Sequence, residues 1–250
     1  MFVKSPLFLF SLLLLLGGCA ADGQFDAEKA LNISAGALQA SLLDEQSVKM
    51  AASLTAKELD SKNKIAAASS PYAARLSKLT GNLHNYDGLN LNFKVYMSPE
   101  ANAFAMADGT VRVYSGLMDL MPDDQLLAVL FHEIGHVKQN HSYEQMKKAL
   151  LTNVAFEAAS SVGGTIGSLT SSQLGLLANT AINARFSQAD ELESDRYAVR
   201  ALKQTNRDPY AMKRSIETLQ TLSASGGGFL SSHPTNQTRI DAIVKEIGRM

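Results

Sequence analysis

Leu126-Leu127-Ala128-Val129-Leu130-Phe131-His132-Glu133-Ile134-Gly135-His136-Val137 is the stretch that decides this chain. Its apolar residues recur at helical spacing and surround the helix on a wide front, so the segment reads as a buried helix. Pro122, Asp123 and Asp124 give it a start, with proline early and acids against the helix dipole. Inside it lies H-E-x-x-H. On a helix His132 and His136 stand one turn apart on one face, placed to share a metal ion. Glu133 sits beside them, positioned to take a proton from water. Buried imidazoles and a buried carboxylate need partners, and one zinc ion per chain supplies them.

Outward from this helix the pattern is mainly helical. Helical spacing runs over 28–65, 71–83, 123–140 and on to about 160, then 173–205, 209–223 and 236–249. Leu91–Met97 alternates and reads as a strand. Ala103–Ala107 and Thr110–Tyr114 flank Asp108-Gly109 and read as a hairpin. Asn85–Asn90 is a turn-rich break, and Ser161–Ser172 is a small-residue segment that reads equally as a lid or as an interhelix connection. The fold class is therefore mainly α with a small antiparallel or mixed sheet.

The 250 residues suffice for one sizeable domain, and a net charge of −1 without a basic run argues against nucleic acid as a partner. Lys4 followed by the apolar run Leu7–Leu16 has the size of a signal-peptide core, too short to span a bilayer. Leu16-Gly17-Gly18-Cys19 resembles a bacterial lipobox, and Cys19 is the single cysteine of the chain. The expected organisation is a lipoprotein signal peptide at 1–18, a lipidated tether at 19–27 and one domain at 28–250. Removing 1–18 deletes only Lys4 among charged residues and moves the formal charge from −1 to −2. Acyl chains on Cys19 would anchor the protein in a membrane. Ala20 after the cysteine favours, by resemblance to sorted lipoproteins, the outer membrane, with the domain facing the periplasm.

Two histidines do not complete a catalytic zinc site; a third protein ligand is required. His141, five residues after His136, falls off the ligand face and reads as a surface histidine or one that supports a ligand from behind. Glu191, 55 residues after His136, pairs at one helical turn with Asp195. Such a pair either ligates and orients a metal site or forms a solvated face, and spacing alone leaves both open.

His132-Glu133-Ile134-Gly135-His136, Ser187-x-x-x-Glu191-x-x-Ser194-Asp195, Asn102-Ala103-Phe104-Ala105, and His233-Pro234 with Arg239 together resemble the HtpX/CAAX prenyl protease family of gluzincin metallopeptidases, in particular its soluble lipoprotein members. Gln188 and Ser194 depart from the arginine and alanine common there. The resemblance implies a zincin-like metallopeptidase domain with His132, His136 and Glu191 as zinc ligands and Glu133 as general base. It implies that Asp195 orients a ligand imidazole and that His233 and Arg239 face the zinc from the C-terminal side, either one available to a developing oxyanion. His233 is further expected to fill a fourth zinc position at rest and to leave when substrate enters, with the Gly226–Gly228 stretch permitting that motion. Asn102, Ala103 and Phe104 would lie on an edge strand that receives an extended or unfolded polypeptide. The function so implied is that of a zinc endopeptidase acting on envelope proteins. The rival reading is a zinc-stabilised chaperone or scaffold without catalysis.

Overall fold

Local signals start and stop each helix, and the strands between them alternate between two cores. The computed structural model describes residues 43–152, 169–222 and 228–250. All of these lie within the unit Gln39–Met250. In chain order the elements are α1 Glu45–Lys62, α2 Pro71–Thr80, β1 Asn85–Tyr86, β2 Leu89–Asn90, β3 Asn92–Tyr96, β4 Ala103–Ala105, β5 Thr110–Tyr114, α3 Ser115–Leu120, α4 Asp123–Lys138, α5 His141–Thr152, α6 Ser171–Ile182, α7 Gln188–Gln204, α8 Tyr210–Gln220, α9 Phe229–Ser232 and α10 Gln237–Ile247. The fold is mainly helical with small sheets.

The larger sheet has the order β3-β5-β4. β3 pairs with β5 in parallel, and β4 pairs with β5 antiparallel, Phe104 opposite Arg112. Period-two alternation divides the core. Val95, Ala103, Ala105, Val111 and Val113 face one cluster, which includes α4, α7 and α8. Tyr96, Phe104 and Tyr114 face the other, shared with α1, α5 and α6. The outer edge of β3 is covered by residues 64–66: the Ala66 N–H donates to Val95 O at 2.9 Å and the Met97 N–H to Lys64 O at 2.7 Å. Among the described residues no strand covers the opposite edge, β4.

α4 is buried continuously from Leu126 to Val137, as a helix apolar on every side must be. Its first-turn acids are answered from neighbouring helices, Asp123 by Arg75 at 2.7 Å and Asp124 by Arg214 at 2.7 Å. Asn140, at φ +63°, ends the run in the left-handed region and separates α4 from α5.

Several expectations change in detail. The stretch 173–205 is two helices: Ser187 and Asp190 form a reciprocal capping box that starts α7 afresh. Asn85–Asn90 carries a two-residue hairpin over Asp87-Gly88. β4 ends at Ala105, and Gly109 at φ +86° closes a four-residue turn. The expected helix 28–65 is described only from Glu45, and the helical run towards 160 only to Thr152. The signal peptide, the tether with Cys19, Ser161–Ser168 and Gly226-Gly227 lie outside the described residues.

Candidate metal centre

α4 and α7 pack tightly side by side, and Gly135 is what allows it. A Cβ there would stand 3.1 Å from Ser194 Cα and 3.2 Å from Ser194 O. One turn before Ser194, Glu191 therefore reaches the imidazoles of α4. His136 Nε2 lies 3.0 Å from His132 Nε2. Glu191 Oε2 is 3.5 Å from His132 Nε2, and its Oε1 is 3.5 Å from His136 Nε2. From the C-terminal side, His233 Nδ1 comes within 2.9 Å of Glu191 Oε1 and 3.3 Å of His132 Nε2. His132, His136, Glu191 and His233 each present one ligand atom within 4.8 Å of the others, all buried.

These side chains fit a zinc ion. Two donors about 2.0–2.1 Å from one tetrahedral zinc stand about 3.3 Å apart, close to the separations here. His132 Nδ1 is turned to Asp195 Oδ1 at 2.9 Å, so its proton belongs there and Nε2 is bare. Lone pairs and a carboxylate crowded together without solvent call for a cation. Glu133 Oε1 has no hydrogen-bond partner among the described residues and lies 3.4 Å from His233 Nε2.

The electrostatics follow the burial. Desolvation pushes the Glu133 carboxyl up and holds His136 well below the ordinary imidazole value. Burial would raise Glu191 as well, but His233 and the other imidazoles outweigh it and hold the carboxyl well below its usual range. Burial opposes charge on His233 too, yet the Glu191 and Glu133 carboxylates overcome it and raise its pKa. Asp195 is held down by Arg239 against the effect of burial.

Arg239 approaches the cluster through its carboxylates. Nε and Nη2 donate to the two oxygens of Asp195, each at 2.7 Å, and Nη1 meets Glu191 Oε2 at 2.6 Å and Pro234 O at 3.2 Å. The Glu191 contact is an ion pair off the hydrogen-bonding direction, since Oε2 has no hydrogen-bond partner. A guanidinium so engaged orients Asp195 and Glu191.

Gly228 is likewise fixed. It adopts φ +67°, and a Cβ there would lie 2.5 Å from Ala101 O. The next N–H, of Phe229, donates to that same oxygen at 2.9 Å. Phe229 then stacks on His233 at 4.3 Å between ring centroids. Phe186, which sequence reading did not single out, stacks on His136 at 3.8 Å. Its only sequence signal was its place directly before the Ser187 cap.

β4 runs past the cluster. Tyr114 N donates to Asn102 O and Met106 N to Thr110 O, so the residues between, Ala103 and Ala105, turn their backbone groups to the outer edge. The Ala105 N–H faces the Glu133 carboxylate, and Ser142 Oγ donates to Ala105 O at 3.0 Å. Asn102 is buried just before the strand, its Oδ1 accepting from Ala103 N at 2.9 Å. The side chain of Phe104 packs with Tyr96 and Tyr114 in the core, so only the backbone of β4 meets the site.

Comparison with known proteins agrees with this geometry. The model of peptidase family M48 matches residues 75–247. The chain is 40% identical to metalloprotease LoiP of Escherichia coli strain K12 over 96% of this chain and 95% of that protein. It is 39% identical to metalloprotease YcaL of the same strain, over 92% of this chain and 91% of that one. The beta-barrel assembly-enhancing protease of the same strain is 30% identical over 60% of this chain and 33% of its own length.

Proposed function

We propose, from the premise that this chain belongs to peptidase family M48 and is a zinc metalloendopeptidase, that it is a lipid-anchored enzyme of the bacterial envelope that cleaves unfolded or damaged proteins there. His132, His136 and Glu191 hold the zinc and Glu133 is the general base. The observation that carries this assignment is the convergence of three imidazoles and Glu191 beside the unpartnered Glu133 Oε1.

A zinc ion held by His132, His136 and Glu191 would supply Lewis acidity, activating water and polarising the scissile carbonyl. Glu133 accepts the proton of the attacking water and returns it to the leaving amine. Burial, which raises its pKa, equips it for both transfers. Asp195 holds the Nδ1 hydrogen of His132, and Arg239 holds Asp195 and Glu191 in place. An extended polypeptide adds to the edge of β4 through Ala103 and Ala105, displacing the contacts that Asn102, Glu133 and Ser142 make to their backbone groups, a mode that reads backbone more than side chains. His233 would take the fourth donor position at rest and yield it to substrate, and His233 or Arg239 would face the developing oxyanion.

The full-length chain incubated with unfolded casein tests this directly. Glu133→Gln is expected to lose about 10²- to 10⁴-fold in rate while keeping its zinc, and a chelator to abolish cleavage. His233→Ala is expected to change the rate in either direction; an unchanged rate removes His233 from the site. Zinc bound with no cleavage by the wild type would favour the scaffold reading.

The envelope assignment is supported by the apolar run and lipobox-like Leu16–Cys19 and by the name of the beta-barrel assembly-enhancing relative. Among the described residues no helix is long and apolar enough to cross a membrane. Labelled palmitate should enter the wild type and not Cys19→Ser, and the variant should leave the outer-membrane fraction. Equal labelling of both would overturn the anchor.

A further inference from the structure

His141 has no task in the ligand set above, yet the structure brings it against the site. Five residues after His136 on one continuous helix would place it about 140° away around the axis. Asn140, in the left-handed region at φ +63°, breaks the helix and redirects the chain, so that His141 opens α5 beside His136. The two Nδ1 atoms are 3.1 Å apart, and the side chain of His141 is 9% exposed.

We infer that His141 is a positioning residue for the metal centre: its bare Nδ1 accepts the Nδ1 hydrogen of His136 and so fixes the tautomer that turns the Nε2 lone pair of His136 to the metal. This rests on His136 being a ligand, as proposed above. A neutral imidazole carries one hydrogen. His136 Nε2 points into the cluster, 3.0 Å from His132 Nε2 and 3.5 Å from Glu191 Oε1, and must be bare to ligate. The hydrogen therefore sits on Nδ1, where the facing atom is His141 Nδ1. Only a bare nitrogen can accept it. The hydrogen of His141 is then on Nε2, and on that side lie two carboxylates, Glu193 Oε2 at 3.4 Å and Asp190 Oδ1 at 3.6 Å. Ser194 Oγ lies farther from His141 Nδ1, at 3.4 Å, so the His136 N–H at 3.1 Å is the nearer donor to that lone pair.

The two ligand imidazoles are thus oriented by different means. His132 donates directly to a carboxylate, Asp195. His136 donates to a neutral imidazole that is itself set by carboxylates on α7. Groups of this kind hold ligand orientation and basicity, and losing one typically costs roughly 10- to 100-fold in metal affinity or activity.

Zinc affinity of the full-length protein, measured by competition with a chromophoric chelator, tests the inference. His141→Leu keeps bulk and removes the acceptor. His141→Asn places Oδ1 near the lost Nδ1 and accepts the same hydrogen. The Leu variant is expected to bind zinc roughly 10- to 100-fold more weakly and the Asn variant to recover most of that loss, with the circular dichroism of the metal-free forms unchanged. Wild-type affinity in the Leu variant overturns the inference, and so does an equal loss in both, which would mark a packing role. If the Leu variant does not fold, the Asn variant decides: retained affinity supports the inference and a tenfold loss overturns it. A wild type that binds no zinc overturns the metal-centre reading itself, an outcome separate from either of these.

Discussion

A guanidinium at 1% exposure, as in Arg239, survives only where its charge is answered, and here Asp195 and Glu191 answer it. The dependence runs both ways, because without Arg239 the two carboxylates are buried next to each other with less positive charge to hold them. Arg239→Met should therefore destabilise the zinc-loaded protein by about 3–5 kcal/mol, the usual cost of breaking a buried pair. Thermal unfolding reads this as a drop of several degrees. A melting temperature within a degree of wild type would show that the guanidinium holds nothing. At this scale H-E-x-x-H was legible in the chain, since both imidazoles and the base share one helix. The role of Arg239 was not: its number says nothing of which side of Asp195 it approaches.

Helices α4 and α7 carry the proposed ligands His132, His136 and Glu191, and their spacing depends on the missing Cβ of Gly135. Gly135→Ala puts a carbon 3.1 Å from Ser194 Cα, against backbone that cannot rotate away. Overpacking of this kind costs about 1–3 kcal/mol. Pushing α7 outward also withdraws Glu191, so zinc affinity should fall along with the melting temperature. Wild-type affinity in the alanine variant would mean that Glu191 tolerates the displacement. Most elements were readable from periodicity and caps. The break at residues 183–187 was overlooked although Ser187 and Asp190 stand at capping-box spacing, because apolar and helix-forming residues continue on both sides and mask the stop. The short α3 and α9 lacked enough residues to show a period.

At the scale of the whole molecule, α1 is tied to the sheet by Asp60. Its carboxylate accepts from Lys94 at 2.6 Å, Tyr96 at 2.8 Å and Arg112 at 2.9 Å and 3.0 Å. Burial would raise its pKa, but the hydrogen bonds from Arg112, Lys94 and Tyr96 prevail and lower it. A folded pKa below the unfolded one contributes stability that is present above the unfolded value, about 3.9, and is lost as pH falls through the folded value. Asp60→Asn should therefore melt lower than wild type at pH 7, and the gap should close as the pH drops below about 4. A gap independent of pH from 7 to 3 would mean that the charge of Asp60 contributes nothing to folding.

By itself the sequence determined what depends on neighbours along the chain. A buried helix bearing H-E-x-x-H, a strand and hairpin, and a mainly helical class all follow from spacing, since side-chain direction in a helix or strand is set within a few residues. Tertiary structure decided what depends on approach. His141 returns to His136 only because Asn140 breaks the helix. Arg239 ends against Asp195 and Glu191, and residues 64–66 cover the outer edge of β3. In each case the deciding contact lies across a chain break or between distant elements, where no periodicity carries the direction.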